Sequence, residues 1–318
     1  MSSAEPLVTI IIPTRPGQSE IQAVVASRAL DYPRDRLEII VARGRQPAVQ
    51  RNAALKAARG ELIYFLDDDS RPLPGNLRRA MAHLARPEVK MAGGPNLCPP
   101  DAPPLEQIFG VALSSWLAFG PSRARYDSVG QARTSSEKEL ILCNLLARRD
   151  ALQELGGFDE SLYPNEENAL MDELQKRGGK LLYDPELIVY RRPRPTLKAF
   201  CKMLLNYGRG RAEQFRLHPT FGSALNFVPP LFCLYLLVWP FFGLVGLAPL
   251  GCYGVAVALQ TFASAIKRGL VYSIAALPLL VLTHLLYGLG FWRGLFTSLK
   301  PPVAGSTTSV ELETINPA

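Results

Sequence analysis

The sequence predicts an α/β fold in which a mixed, mostly parallel, Rossmann-like sheet has helices on both faces and precedes a C-terminal transmembrane helical region. Three observations lead to this expectation. Apolar, β-branched runs alternate with segments of helical spacing in the first part of the chain, which is typical of strand–helix–strand units. The run Leu62–Leu66 is apolar throughout, as in a strand buried on both faces. From Ala224 to Trp292 there is no Asp or Glu, and this region is long enough for about three membrane spans.

The first strands and helices follow one another in the order expected for a right-handed parallel sheet. Pro47 stands at the start of one helix and Gly60 follows its end, which are favoured positions for these residue types. The predicted strands are Leu7–Ile12, Leu37–Ala42, Leu62–Leu66 and Val89–Gly93, and the predicted helices are Ser19–Leu30, Ala48–Arg59 and Gly75–Ala85.

A later helix is predicted to begin at Asn165 and to end near Arg177, where two glycines follow. Asn165 is a favourable N-cap. Glu166 and Glu167 fall in the first turn, where the helix dipole favours negative charge. Helix capping alone could therefore account for both glutamates without any catalytic role.

The apolar region divides into three predicted spans, Asn226–Gly243, Gly246–Ile266 and Leu270–Trp292. Prolines within the first span would kink or delimit it, which membrane helices tolerate. The alternative is a buried helical hairpin of a soluble protein. His284 in the last span either packs against a neighbouring helix or contacts a lipid-linked substrate. The glycines of Tyr287–Gly290 favour close helix packing.

The formal net charge of +7 is concentrated just before the first span, where only Glu213 opposes a basic cluster. Such a cluster is attracted to anionic membrane lipids and orients the protein. No aromatic stacking platform or recognition motif accompanies it, so nucleic acid is not an expected partner. The basic cluster consists of Arg191, Arg192, Arg194, Lys198, Lys202, Arg209, Arg211 and Arg216.

The expected organisation is an α/β domain over residues 1–190, a basic interfacial segment over 191–223, a transmembrane region over 224–295 and a disordered tail over 296–318. The first residues lack the basic and apolar segments of a signal peptide. The five cysteines have no metal-ligand spacing and are expected to be reduced. These features predict a multi-pass protein of the inner (plasma) membrane whose α/β domain is cytoplasmic.

Asp67, Asp68 and Asp69 directly follow the predicted strand Leu62–Leu66. The carboxyl end of such a strand lies at the edge where open α/β sheets bind ligands. Mg2+ and Mn2+ prefer oxygen ligands and often share a few carboxylates with substrate phosphates. The triplet therefore indicates a metal–phosphate site, although an ordinary polar turn would have the same composition.

The order of these segments resembles that of the family 2 glycosyltransferases, which have the GT-A fold. The resemblance covers roughly residues 7–195 and is carried by VTIIIPTRPG, QRNAALKAARGELIYFLDDDS, LCNLLARRDALQELGGFDE and NEENALMDELQKRGGKLLYDPELIVYRR. RPRPTLKAFCKMLLNYGRGR and HLLYGLGFWRGL are similar to a membrane-bound branch, the succinoglycan-type ExoA-like glycosyltransferases.

The resemblance implies a role for particular residues. Asp67 and Asp69 would be the DxD aspartates that hold Mg2+ or Mn2+. Glu167, beside Glu166, would take the place of the catalytic base. Asn144 and Arg148 would approach the sugar and the acceptor. The nucleotide sugar would be bound by Pro13, Thr14, Arg15, Arg51, Asn52, Asp67, Asp68, Arg209 and Arg211, the last two being placed like the basic QxxRW motif that covers the diphosphate.

Two positions depart from the family pattern. Residues 41–47 form a short, basic segment where the family commonly carries an acidic loop that reads the nucleotide base. The base is therefore not fixed by the resemblance, and a UDP-sugar is the expected donor. Glu167 replaces the usual aspartate and is one methylene longer.

The expected reaction is inverting, metal-dependent transfer of a sugar from a nucleotide sugar to a lipid-linked saccharide, in exopolysaccharide or cell-surface glycan biosynthesis. A metal held by carboxylates would stabilise the leaving diphosphate, and arginines would contact its phosphates. A separate carboxylate would accept the proton of the acceptor hydroxyl. The alternatives are transfer to polyprenyl phosphate and a catalytically inactive, nucleotide-binding membrane scaffold.

Overall fold

A mixed eight-stranded sheet forms the centre of the protein, with the strand order β11-β2-β1-β3-β8-β5-β9-β7. The computed structural model describes residues 5–162, 165–217, 219, 221–298 and 309–315. A second sheet has the order β4-β10-β6. The strands are β1 (Val8–Thr14), β2 (Leu37–Arg43), β3 (Leu62–Leu66), β4 (Arg71–Pro72), β5 (Val89–Gly93), β6 (Asn96–Leu97), β7 (Arg133–Ser135), β8 (Asn144–Arg148), β9 (Lys180–Tyr183), β10 (Val189–Tyr190) and β11 (Glu311–Ile315).

Most strands of the large sheet run in one direction. β2, β1 and β3 are mutually parallel, β8 is antiparallel to both β3 and β5, and β5 is parallel to β9. β7 and β11 are antiparallel to their neighbours at the two edges. The prediction of a mixed sheet is confirmed: five of the eight strands run in one direction, and four of the seven neighbouring pairs are antiparallel.

Helices cover both faces of this sheet, as predicted. One apolar core lies between the sheet and α1 and α3, and a second lies between the sheet and α2, α6 and α7. The helices are α1 (Gln22–Ser27), α2 (Pro47–Ala57), α3 (Asn76–Leu84), α4 (Pro104–Leu113), α5 (Trp116–Phe119), α6 (Arg149–Glu154), α7 (Glu166–Lys176), α8 (Leu197–Leu217), α9 (Val228–Val238), α10 (Leu247–Arg268) and α11 (Leu270–Phe296).

The small sheet brings two distant segments to the same place. β4 directly follows the aspartate triplet and pairs with β10, where Tyr190 lies opposite Arg71. β10 also pairs with β6, and the Arg191 amide donates to the carbonyl of Leu97 at 3.0 Å. The residue after β10 is therefore held beside the triplet, a proximity that the sequence did not predict.

The C-terminal region contains three helices, but the first is shorter than predicted. α9 has 11 residues, and Gly243 breaks the helical path after it with φ of 58°. At about 1.5 Å per residue, such a helix is too short for a hydrocarbon core of about 30 Å. Two apolar segments are long enough to cross a membrane, 224–268 and Leu270–Phe296, where three spans were predicted.

α8 and α11 pack closely through small residues. A Cβ atom added to Gly208 would lie 2.0 Å from the carbonyl oxygen of Tyr287, and one on Gly290 would lie 2.1 Å from that of Leu205. At Gly294 the nearest atom is the carbonyl oxygen of Arg209 at 2.4 Å. The predicted helix-packing role of the Tyr287–Gly290 segment is confirmed by these contacts.

Part of the basic cluster is engaged within the protein. Arg192 forms an ion pair with the buried Glu106, and Arg216 donates to the carbonyl of Gly294 at the end of α11. Lys198 and Lys202 are exposed, as is Arg194. Arg191 and Arg192 pair with carboxylates from distant parts of the chain, which a local charge count does not reveal.

The tail was predicted to be disordered, and this is wrong for β11. These residues pair antiparallel with β2, and Glu313 forms an ion pair with Arg43 at 2.9 Å. The alternation of polar and apolar residues in ELETI is a strand pattern that could have indicated this pairing.

Candidate active site

The aspartate triplet forms a turn at the carboxyl end of β3. The Ser70 amide donates to the Asp67 carbonyl at 3.0 Å, and the Asp67 amide donates to the Ser70 hydroxyl at 3.1 Å. Because β1 is parallel to β3, its end reaches the same edge, where the Thr14 hydroxyl donates to Asp68 at 3.3 Å. The triplet is thus a polar turn, and it also lies at the ligand-binding edge of the sheet.

Arg51 joins the triplet to the start of α7. It extends from α2, with Nη2 3.1 Å from Asp67 Oδ1 and Nη1 2.9 Å from Glu166 Oε1. The arginine is 6% exposed. A buried arginine with two carboxylate partners fixes both of them through charge-assisted hydrogen bonds. Asp67 and Glu166, which are far apart in the sequence, therefore belong to a single site.

Arg191 contacts the triplet from the other side. Its Nη1 lies 3.0 Å from Asp67 Oδ2, and its Nε lies 2.5 Å from Asp69 Oδ1. Burial works against the charge of Arg191, yet Asp67 and Asp69 hold its pKa well above the usual value. Asp67 and Asp69 are therefore both paired with a guanidinium of the protein itself.

The three aspartates differ in their electrostatics. Burial opposes ionisation of Asp67, but Arg191 and Arg51 outweigh it and lower the pKa of Asp67. Burial and the charges of Asp69 and Asp67 raise the pKa of Asp68. Asp67 is thus held as a carboxylate, the form that binds a cation.

The start of α7 presents two adjacent glutamates. Burial, followed by the charge of Glu167, raises the pKa of Glu166 to about 7. The buried Oε2 of Glu166 finds no hydrogen-bond partner in the described part of the chain. Glu167 is less buried, and its nearest polar contact is the Asn168 amide at 3.5 Å. The pair therefore combines one buried, weakly acidic carboxyl with one accessible carboxylate.

The predicted N-cap differs in detail. Asn165 occupies the position before α7, but its side chain does not cap the helix. It accepts a hydrogen bond from the Asn168 side chain at 2.9 Å instead. Its φ of 106° is unusual for a residue other than glycine, and such strain is concentrated at functional sites.

α8 approaches the two glutamates from the C-terminal side. Burial and the nearby Arg125 lower the pKa of Arg211, whereas the charge of Glu167 raises it. Arg211 therefore lies within electrostatic range of Glu167. Arg209, two residues earlier, contacts Glu213 on the same helix at 3.4 Å. Both residues were predicted to cover a diphosphate, and the pKa of Arg211 responds to the charge of Glu167.

Three predicted residues do not reach the site. β8 is antiparallel to β3, so Arg148 pairs with Leu62 at the opposite edge of the sheet, and its assignment to the sugar is wrong. Asn144 lies at the correct edge but is buried, with bonds to Tyr64 and to the carbonyl of Leu187.

The third, Asn52, holds the loop before α7. Its amide group donates to the carbonyl of Phe158 at 2.8 Å and to Glu160 at 2.9 Å, and its Oδ1 accepts from the Phe158 amide. Asn52 and Asn144 therefore shape the site and leave little hydrogen-bonding capacity for a ligand.

The ends of β1 and β2 form the remaining wall. Pro13 and Thr14 close β1, and Arg15 follows as an exposed side chain. Gln50, a residue that sequence reasoning missed, donates to the carbonyls of Thr14 at 2.8 Å and Ala42 at 2.5 Å. These bonds set the position of the short basic segment after β2 relative to the triplet.

Comparison with known proteins agrees with this geometry. Residues 62–293 match the family model described as Glycosyl transferase family group 2. The chain is 28% identical over 178 residues to the pre-mycofactocin glycosyltransferase of Mycobacterium tuberculosis, covering 54% of this chain and 36% of that protein. It is 29% identical over 200 residues to the succinoglycan biosynthesis protein ExoA of Rhizobium meliloti, covering 60% and 56%. The chain thus spans about a third and about half of these relatives' lengths.

A solved structure shares the fold. The mannosyltransferase PcManGT of Pyrobaculum calidifontis, in complex with GDP-Man and Mn2+, matches with a TM-score of 0.56 and 18% identity, covering 87% of each chain. The predicted GT-A fold is confirmed by this match. Because the family model covers more than half of the chain, the protein belongs to glycosyl transferase family group 2.

Proposed function

We propose that this protein is an inverting, metal-dependent glycosyltransferase that moves a sugar from a nucleotide sugar to a membrane lipid-linked saccharide. The observation that carries the proposal is the Arg51 bridge between Asp67 and Glu166. It brings the aspartates that would face a leaving diphosphate close to the carboxyl groups that could accept a proton. Those are the two functions that sugar transfer from a diphosphate requires.

Asp67 and Asp69 fit one divalent ion, Mg2+ or Mn2+. Both already face a cationic group of the protein, Arg191, so their position suits positive charge. In the described ranges no three His, Cys, Asp or Glu side chains converge as a metal site, so substrate phosphates and water would complete the coordination. Such an ion neutralises charge on a leaving diphosphate. The solved relative that holds GDP-Man and Mn2+ supports this assignment.

The donor would lie across the ends of β1 and β3. Arg15 is exposed to the nucleotide, while the buried Pro13 and Thr14 would shape the pocket behind it. A UDP-sugar remains the proposed donor. Arg51, Arg191 and Arg211 are placed to bind phosphate oxygens, for which the guanidinium group is well suited. Arg51 would at the same time hold Asp67 in its charged form.

Glu167 is the proposed proton acceptor. It is the more accessible of the two glutamates, whereas Glu166 is buried against Arg51. Glu166 would position the start of α7 through that bond. Displacement of the diphosphate by the acceptor oxygen, assisted by Glu167 on the opposite face of the sugar, inverts the anomeric carbon in a single step.

The acceptor would enter from the side of α4 and α8. A cavity of about 60 Å3 lies there, beside Arg191. Asn96 contributes a buried oxygen that has no hydrogen-bond partner among the described residues, and the hydroxyl groups of Tyr126 and Tyr207 lie 3.3 Å apart. Arginine, amide and hydroxyl groups suit a saccharide that carries phosphate. The resemblance to a succinoglycan biosynthesis protein supports a role in exopolysaccharide or cell-surface glycan assembly.

The proposed location is the inner membrane, with the α/β domain in the cytoplasm. Large apolar side chains of the C-terminal helices are exposed, and lipid would cover them. Arg268 forms an ion pair with Asp127 of the α/β domain at 2.8 Å, which places the turn between α10 and α11 on the domain side. This supports the orientation expected from the positive-inside rule.

The function can be tested with the full chain in membranes. Radiolabelled UDP-, GDP- and dTDP-sugars would be supplied with Mn2+ or Mg2+ and a lipid extract. We expect label in a diphosphate-linked oligosaccharide lipid. Label in a monophosphate lipid would assign transfer to polyprenyl phosphate instead, and nucleotide binding without incorporation from any donor would favour an inactive scaffold.

The activity should depend on the protonation of Glu166. Because its pKa is raised to about 7, this carboxyl becomes neutral as the pH falls below 7 and loses its charge-assisted bond with Arg51. We expect kcat/KM to fall on the acid side of about pH 7. Glu166→Gln should lower activity at pH 8 and flatten this acid limb, and an unchanged limb in that variant would assign it to another group.

A further inference from the structure

The C-terminal helices contact the α/β domain at several levels along their length. α11 begins next to the Arg268–Asp127 ion pair, and in its middle His284 Nε2 lies 3.0 Å from the carbonyl oxygen of Leu117 in α5. Near its end the Gly294 carbonyl accepts from Arg216 of α8 at 3.1 Å. Both ring nitrogens of His284 are engaged, since Nδ1 lies 2.8 Å from the Tyr253 hydroxyl. Of its two predicted roles, the packing role is the one observed.

α8, the partner of the second half of α11, is too charged to enter a hydrocarbon core. It carries Lys198, Lys202, Arg209, Arg211, Glu213 and Arg216. Charged side chains are strongly disfavoured at the centre of a bilayer. Because α11 packs against α8 from Gly290 to Gly294, that part of α11 has to stay at the level of the α/β domain.

Among the described residues, it is the hairpin between α9 and α10 that extends beyond the contacts with this layer. In the described part of the chain, the hydrogen bonds nearest its tip that join it to α11 are Cys233 Sγ with the Leu285 carbonyl at 3.6 Å and Tyr253 with His284. Residues 234–252 lie between those contacts, so each arm has roughly nine residues and reaches about 14 Å at 1.5 Å per residue. The hydrocarbon core is about 30 Å thick. The hairpin can therefore enter one leaflet but cannot reach the far side.

The exposed apolar side chains form the surface expected for such insertion. Phe241 is 87% exposed and Leu244 is 85% exposed at the tip of the hairpin. Along α10 the exposed residues recur at helical spacing on one face, where they form a stripe of Val255, Leu259, Phe262 and Ile266. The exposed cations Arg194, Lys198 and Lys202 would meet anionic headgroups.

We propose that this protein is monotopic, with no segment among the described residues crossing the bilayer. The α9–α10 hairpin is inserted in the cytoplasmic leaflet, and α11 lies along the membrane interface. This differs from the multi-pass topology expected from sequence. A hydropathy profile detects the length of an apolar segment. It does not show that one face of the helix packs against the α/β domain. The inference rests on the proposed membrane location. The exposed apolar surface would be covered by a single leaflet that contains anionic lipids.

The test uses Phe242→Cys, at an exposed position near the hairpin tip, in the full chain reconstituted into liposomes that contain anionic lipid. The exposed Cys252 and the half-buried Cys98 and Cys201 are replaced by serine in every variant, so that residue 242 carries the label. A nitroxide is attached before reconstitution, and its depth is measured from collisions with oxygen and with a water-soluble nickel complex. We expect the label in hydrocarbon on the side of the α/β domain, at most about 15 Å below the headgroups. Val25→Cys, an exposed apolar position on α1, is the matched control and should report water.

Labelling from the two sides provides a second readout. In bacterial cells that produce Phe242→Cys, an impermeant maleimide added outside should leave residue 242 unlabelled, and detergent should make it reactive. Labelling from outside, or a nitroxide in water beyond the far headgroups, would overturn the monotopic arrangement while keeping the membrane location. A nitroxide in water with the protein free of liposomes would overturn both proposals.

Discussion

Replacement of Asp69 by asparagine is expected to lower kcat/KM for sugar transfer by about 10²- to 10³-fold or more, the size of effect that follows loss of one preorganised electrostatic contact. The change keeps the size of the side chain and removes the charge that would hold the metal. Asp69 is 41% exposed, so the folded protein should tolerate the amide. Transfer at saturating Mn2+, together with direct Mn2+ binding in the presence of UDP or GDP, measures the effect.

Asp101→Asn is the control for this variant. Asp101 is 78% exposed and lies 3.7 Å from Arg71, so the same loss of charge should change transfer less than about twofold. Full transfer by Asp69→Asn would overturn the assignment of this carboxylate to the metal.

Glu167→Gln should lower kcat by about 10²- to 10⁴-fold, the contribution typical of a positioned general base. Nucleotide affinity should stay within about twofold, because Glu166 and not Glu167 holds Arg51 and through it Asp67. Steady-state transfer and equilibrium binding of the nucleotide, measured on the same preparation, separate the two effects.

Glu173→Gln on the same helix is the matched control. Glu173 has a half-exposed side chain and forms an i,i+4 pair with Arg177, so its loss should have little effect on transfer. The opposite result would be a large loss of kcat in Glu166→Gln with full activity in Glu167→Gln. It would make Glu166 the proton acceptor, and the Oε2 of Glu166 has no protein partner among the described residues.

The sequence predicted those parts of the site that depend on local pattern. Strand β3 was predicted with its observed bounds because an apolar run of that length is typical of a buried strand, and the triplet follows directly. The start of α7 could be predicted from capping composition. The position of a strand in the sheet is a tertiary property, and Arg148 was misplaced because nothing local indicates that β8 runs opposite to β3.

Contacts between distant residues were missed for the same reason. Arg191 reaches Asp69 only because β4 and β10 pair in the small sheet, and both strands have two residues. Strands that short leave no periodic pattern in a sequence. The basic run after Tyr190 was noticed as a charge cluster, but its partner depends on the fold.

The Arg191 contacts have a consequence for the order in which ligands enter. While its guanidinium lies against Asp67 and Asp69, a lone divalent ion would have to displace it and would meet its positive charge at close range. A nucleotide diphosphate offers the same guanidinium an equally good set of oxygens. In the substrate-free enzyme Arg191 thus serves as the counterion of the two aspartates. We expect the metal ion and the nucleotide sugar to displace it from them in one step.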